Sequence, residues 1–329
     1  MDELASRSHV PVLLKAVLDL LGCRAGGIYV DGTVGGGGYS EAILEASAPD
    51  GFLIALDCDG DAITRVRTRL ASYQDRCYLQ KSNFSDLPGI VEKVGLGPVD
   101  GIVVDLGVST FQLAQPARGF SFMLDGPLDM RMDRDLQQSA ADLVNGLSQL
   151  DLAALIHHLG EEKWALRIAR AIVMRRQVSP FTTTLELSKA IEKAVPESRD
   201  SLRIHPATRT FQALRIAVNR ELECLDQFLS QVLDVMKPGG RLCTVAFHSL
   251  EDRIIKRKYR EWSRSCSCPK TFPRCQCRGL PLVKLLTRRP IRPDPAEIER
   301  NPSSRSARLR AVEKWGRGES DLQSAGLTT

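Results

Sequence analysis

Short, continuously apolar runs alternate with amphipathic stretches through the first 110 residues. Ile28-Tyr29-Val30-Asp31, Phe52-Leu53-Ile54-Ala55-Leu56-Asp57 and Ile102-Val103-Val104-Asp105 are too apolar for a half-exposed strand and too short for a helix. They predict strands buried on both faces. Cys77-Tyr78-Leu79 is a weaker strand, and Ser40 to Ala46 and Asp61 to Leu70 carry a helical period between the strands. Buried strands separated by helices predict a doubly wound, mostly parallel α/β sheet of Rossmann-like character.

From Leu113 to about Pro206 no strand-like run occurs, and helical patterns such as Ala165 to Arg175 and Leu185 to Ala194 take over. Phe211 to Met236 reads as one long helix, stopped by Lys237-Pro238-Gly239-Gly240, with Arg241 to Phe247 as a further strand. The economical organisation is an α/β domain over residues 1–112 and 207–290, interrupted by a helical insertion over 113–206. Past Arg288 the chain turns to Pro, Ser and Arg, which predicts a loosely ordered basic tail over 291–329.

Charge sharpens this division. The net charge is +5, yet Glu251 to Thr329 holds 19 Lys and Arg against 9 Asp and Glu. A basic C-terminal third on an acidic body suits a polyanionic partner such as nucleic acid, and equally a solvated tail. No apolar run approaches the ~20 residues of a spanning helix. The polar N-terminus shows no secretory pattern, and nine cysteines in such a chain point to reduced thiols in a cytoplasmic protein.

Candidate chemistry gathers at the strand ends. Asp31-Gly32-Thr33-Val34-Gly35-Gly36-Gly37-Gly38 joins a strand to a helix. Glycines there let backbone approach a ligand, although the same run also makes a tight turn. Asp57 ends the second strand 20 residues past Gly37, where a carboxylate can accept from ribose hydroxyls. The pair fits an adenosine-containing cofactor without separating NAD from S-adenosylmethionine. Asp31 favours the latter, because its charge suits an ammonium group and opposes a pyrophosphate. Asp105 closes the fourth strand, so the three acids are expected at one crevice.

The longest distinctive stretches are Asp105-Leu106-Gly107-Val108-Ser109, Arg118-Gly119-Phe120-Ser121-Phe122 and Gly126-Pro127-Leu128-Asp129-Met130-Arg131-Met132. His205-Pro206-Ala207-Thr208-Arg209-Thr210-Phe211-Gln212-Ala213 and Phe247-His248-Ser249-Leu250-Glu251-Asp252-Arg253 complete the set. In these the chain closely resembles the RsmH (MraW) family, class I methyltransferases that methylate N4 of a cytidine in the decoding region of 16S rRNA. The resemblance implies S-adenosylmethionine as cofactor, and as partner 16S rRNA within the small ribosomal subunit. No membrane partner is implied, and the oligomeric state stays open, a homodimer included. It places cofactor contacts on Gly37, Gly38, Tyr39, Asp57, Phe84, Asp105 and Gln112, with Tyr39 standing where the family's loop carries histidine. Asp105 is also the candidate catalytic residue, accepting from the cytosine amino group.

The resemblance makes the insertion the substrate-recognition domain. Arg118, Arg131, Arg134, Arg167, Arg170, Arg175 and Arg176 are then candidates for phosphate contact, and Phe120 and Phe122 for base stacking. Each has a bland alternative, in a solvated helix face or the core. His248 is a candidate for a hydrogen bond to substrate or cofactor, or for a structural role. Cys266, Cys268, Cys275 and Cys277 have a spacing open to zinc ligation or to free thiols. Two other functions compete: an NAD-dependent dehydrogenase, and a non-catalytic RNA-binding assembly factor.

Overall fold

A computed structural model describes residues 11–196, 205–265 and 281–315. The chain forms two compact units, one of residues 1–107 and 224–329, the other of 108–223. The second is wider at both ends than the insertion expected over 113–206.

The first unit holds a seven-stranded sheet: β1 (Ile28–Asp31), β2 (Phe52–Asp57), β3 (Cys77–Lys81), β4 (Val99–Asp105), β5 (Met236–Ala246), β6 (Val283–Leu285) and β7 (Arg308–Lys314). The order is β3-β2-β1-β4-β5-β7-β6. The first five strands are parallel, and β7 runs antiparallel to both β5 and β6. This is the doubly wound, mostly parallel sheet expected from the alternation of apolar runs. Successive residues serve opposite faces: Val30, Ile54, Leu56, Ile102 and Val104 enter one core, and Tyr29, Leu53, Ala55 and Val103 the other. A strand that feeds two cores has no polar face, which is why these runs are continuously apolar.

The C-terminal region departs from expectation. Residues 308–314 are not a loose tail but β7, an internal strand of the sheet. Leu309 and Val312 are fully buried strand residues. The basic residues that disguised the strand are neutralised internally. Arg310 Nε donates to Asp252 Oδ1 at 2.7 Å and Arg308 Nη1 to Asp252 Oδ2 at 3.0 Å. Lys314 Nζ donates to the carbonyls of Leu233 and Met236 at 2.7 and 2.8 Å.

Two other boundaries move. The long helix expected over Phe211 to Met236 is broken at Arg220, whose φ of 50° is left-handed, giving helices Thr208–Asn219 and Glu221–Gln231. Lys237 to Gly240, read as a stop, lies inside β5. It forms an irregularity where the partner shifts from Met236 to Arg241 between Val99 and Gly101.

The second unit is helical, with Ala140–Gly146, Gln149–Gly160, Ala165–Arg176, Thr184–Ala194 and Thr208–Asn219 as its main elements. Ser139 with Asp142 and Thr183 with Glu186 close capping boxes, so short polar motifs fix where two of these helices start. Among the described residues, no helix is long and apolar enough to cross a membrane.

Candidate functional site

The site lies at the carboxyl ends of β2, β1 and β4, where the strand order reverses. The three acids do not end level. Asp31 pairs with Ala55 and Val103, two residues before Asp57 and Asp105, so β1 stops short and leaves a notch between its neighbours. The glycine turn fills that notch and is stitched to both sides. Gly32 N–H donates to the Val103 carbonyl and Val34 N–H to that of Leu56, each at 2.9 Å. Asp105 N–H donates to Thr33 Oγ1 at 2.7 Å, and Gly35 N–H to Asp57 Oδ2 at 2.8 Å.

Glycine is required where the turn meets the next helix. Gly37, the N-cap of helix Gly38–Ala46, has φ +82°, and a Cβ there would press on Val66 and Arg69 at 3.2 Å. Arg65 and Arg69 donate to the Gly35 and Gly36 carbonyls, so the turn's acceptors point at protein.

Asp31 is fully buried rather than poised for a ligand. Its carboxylate accepts from Ser40 Oγ at 2.7 Å and Thr33 N–H at 3.2 Å, bracing both ends of the turn. Burial pushes its carboxyl up to about 6 against the pull of those bonds. Asp57 is also raised to about 6, by burial foremost, although Asp59 and Gly35 donate to it. Asp105 is pushed well above the usual carboxylate range by burial, with the charges of Asp31 and Glu251 adding. Its Oδ1 is buried and has no hydrogen-bond partner among the described residues. An orphaned buried acceptor is costly, which makes this oxygen a candidate to receive an N–H or O–H from outside the chain.

Phe84 stands on the wall of the notch: a Cβ on Gly32 would meet its Cβ at 3.1 Å, and its ring packs edge-on against Phe228. Tyr39 turns away from the turn. Its ring is buried and its hydroxyl donates to the Val12 carbonyl, leaving only its backbone on the ligand side.

The MraW methylase family matches residues 6–315. Ribosomal RNA small subunit methyltransferase H of Syntrophobacter fumaroxidans is 61% identical over 316 residues, covering 96% of this chain and 99% of its own. The proteins of that name from Geotalea uraniireducens and Geobacter sulfurreducens are 53% and 48% identical, covering 93% of this chain and 98% and 99% of theirs. The chain belongs to the MraW methylase family. It is a methyltransferase, and its cofactor is S-adenosylmethionine.

The residues of this methylase fit that cofactor. The notch offers glycine backbone at a helix N-terminus, a carboxylate at a strand end, an aromatic wall and an orphaned acidic oxygen, matching the hydroxyls, amines and purine of the molecule.

Several expected ligand residues also make structural contacts. Gln112 lies in the second unit, buried in the first turn of helix Thr110–Ala114, where its Oε1 accepts from Ser109 N–H at 3.0 Å in a capping box. His248 N-caps helix Ser249–Trp262, and Glu251 Oε2 accepts from the N–H groups of Phe247 and His248. Arg118 is buried and donates to the carbonyls of Arg131 and Met132 at 3.0 and 2.8 Å. Arg131 is paired with Asp129, Arg175 with Glu186, and Arg176 with the Val144 and Leu147 carbonyls. Phe120 is core, and Phe122 is stacked on His205 at 4.6 Å. Arg167 and Arg170 stay exposed. Cys23, Cys58, Cys77 and Cys224 are partly buried and Cys243 is buried. Cys266, Cys268, Cys275 and Cys277 lie outside the described residues.

Sequence reasoning missed the braces: Thr33, Ser40 and Arg69. Only the spacing of Ser40, two residues into a helix that follows an acid-ended strand, hinted at one of them.

Proposed function

We propose that this methylase transfers a methyl group to N4 of a cytidine in the decoding region of 16S rRNA within the small ribosomal subunit, in the cytoplasm. Gly37, Gly38, the Tyr39 backbone, Asp57 and Phe84 hold the cofactor in this reading, and Asp105 meets the reacting groups. Bound there, S-adenosylmethionine supplies an electrophilic methyl on a positively charged sulfur.

The observation that carries the reading is the orphaned Oδ1 of Asp105, buried at the end of β4. An exocyclic cytosine amine is a weak nucleophile because its lone pair is delocalised into the ring. An acceptor fixed on one of its N–H bonds draws the pair back to nitrogen and takes up positive charge as the new bond forms. Asp105 is rigidly placed for that, because its own N–H is tied to Thr33 and its strand is internal to the sheet. Family membership sets aside the dehydrogenase and the non-catalytic assembly factor.

Incubation with methyl-labelled S-adenosylmethionine and either naked 16S rRNA or assembled small subunits tests the reading. Label is expected on 16S rRNA, with the assembled subunit the better substrate. Label on neither, from protein that binds the cofactor by calorimetry, would overturn it.

A further inference from the structure

The basic character of the C-terminal third is distributed unevenly once folded. Arg308, Arg310 and Lys314 are consumed by Asp252 and by backbone carbonyls, as described above. Helix Ser249–Trp262 behaves differently. Its inner face, Leu250, Ile255, Tyr259 and Trp262, is buried, and the Tyr259 hydroxyl lies 3.2 Å from Thr244 Oγ1 of β5. This packing fixes the rotation of the helix and leaves Lys256, Arg257 and Arg260 outward and exposed. At 3.6 residues per turn these three fall within an arc of about 100°. Arg264 follows one turn on, exposed, with its N–H still held by the Glu261 carbonyl at 3.2 Å.

None of these four cations has a hydrogen-bonding or ion-pairing partner for its side chain among the described residues. The one acid on this side, Glu261, lies 3.8 Å from a different cation, Lys258. The helix dipole accounts for a cation in the last turn, which is Arg260 alone. Four unpaired charges of one sign, held ~12 Å apart end to end by a rigid helix, repel one another in the free protein. Two exposed cations elsewhere in this unit are matched by acids, Arg24 with Asp100 and Arg69 with Glu41.

We propose that the outer face of helix Ser249–Trp262, continued by Arg264, is a docking surface for an RNA sugar–phosphate backbone, through Lys256, Arg257, Arg260 and Arg264. Among the described residues the face carries no exposed aromatic for base stacking, so it positions the RNA without reading its sequence. It is a positioning surface on the catalytic unit itself, separate from anything the helical unit contributes. The proposal rests on RNA being the methylated substrate.

The test uses the full chain and a fluorescent 16S rRNA fragment containing the decoding region, with affinity measured across a salt series. Each phosphate contact contributes about 0.7–0.9 to the log–log salt slope. Changing Lys256→Gln, Arg257→Gln, Arg260→Gln and Arg264→Gln together is expected to make the slope shallower by about 3. S-adenosylmethionine affinity and melting temperature should hold, because none of the four touches the core or the notch. The charge-preserving set Lys256→Arg, Arg257→Lys, Arg260→Lys and Arg264→Lys should keep the original slope.

An unchanged slope in the glutamine set overturns the proposal. So does an unchanged RNA slope combined with lost binding to phosphatidylglycerol vesicles, which would assign the face to a membrane surface. Label transfer to 16S rRNA by the unaltered protein separates the two readings. Transfer with no slope change removes this surface alone, whereas a slope change without any transfer removes the substrate reading.

Discussion

Gly35 N–H donates to Oδ2 of Asp57 across 2.8 Å, so the acid at the end of β2 holds the glycine turn that follows β1. The residue proposed to receive the ribose therefore also sets the shape of the loop over which the cofactor lies. Its other oxygen accepts from Asp59 N–H at 2.8 Å, one residue before the next helix begins. Asp57→Ala removes all of these acceptors at once. Calorimetry should show S-adenosylmethionine binding weakened by roughly 1.5–3 kcal/mol, the range for a charged hydrogen bond. Unchanged affinity in a folded variant would take Asp57 out of the site.

Asp31 sets a pH dependence of stability. Its folded carboxyl titrates at about 6 against 3.8 when free, so the folded chain keeps a proton that the unfolded chain releases. Between those values stability falls as pH rises, by on the order of 3 kcal/mol in total for a fully buried group. Asp31→Asn escapes that cost while losing part of the hydrogen bonding that Asp31 accepts from Ser40 and Thr33. Denaturant midpoints should therefore shift in favour of the variant as pH is raised from 4.5 to 7.5. A difference between the two proteins that stays constant over this range would contradict the assignment.

Asp105→Asn separates binding from chemistry. The amide keeps the size and one acceptor oxygen but removes the ionisable carboxyl proposed to meet the amine. Single-turnover methylation at saturating cofactor is expected to slow by 10²-fold or more, on the order of a lost preorganised electrostatic contact. Cofactor affinity should change much less. If affinity collapses and the saturated rate survives, Asp105 serves binding only.

Asp252 anchors the last strand. Burial would raise its carboxyl, but the Arg310 and Arg308 guanidiniums outweigh that and hold it below the usual range. The stabilisation is present above the unfolded carboxylate pKa and is lost as pH falls through the lowered folded value. Asp252→Ala leaves Arg310 buried without its partner and should cost ~3 kcal/mol or more, read from urea denaturation at pH 7. Ending the chain after Arg289 removes β7 from the interior of the sheet. It should cost the cooperative melt itself, rather than only softening the salt dependence of RNA binding.

These contrasts show what a linear reading can reach. β1, β2 and β4 were legible because strands facing two cores must be apolar throughout, and the glycine turn was legible because its conformation admits little else. β7 was hidden: Arg308, Arg310 and Lys314 look solvent-bound until Asp252 and two carbonyls are folded against them. The same masking misassigned Arg118, whose long side chain crosses buried space to reach carbonyls thirteen and fourteen residues away. Asp57 and Asp105 were found by their strand ends. Gln112, which resemblance placed at the cofactor, has its carbonyl committed to a capping box, a role its spacing from Ser109 already allowed.

The identity of the methylated atom tests the whole account most directly. Small ribosomal subunits lacking the modification would be incubated with the protein and methyl-labelled S-adenosylmethionine, and the 16S rRNA digested for nucleoside mass spectrometry. The account requires the label in N4-methylcytidine from one decoding-region position, and its loss with Asp105→Asn. Label in any other nucleoside, or N4-methylcytidine formed at full rate by Asp105→Asn, would contradict it.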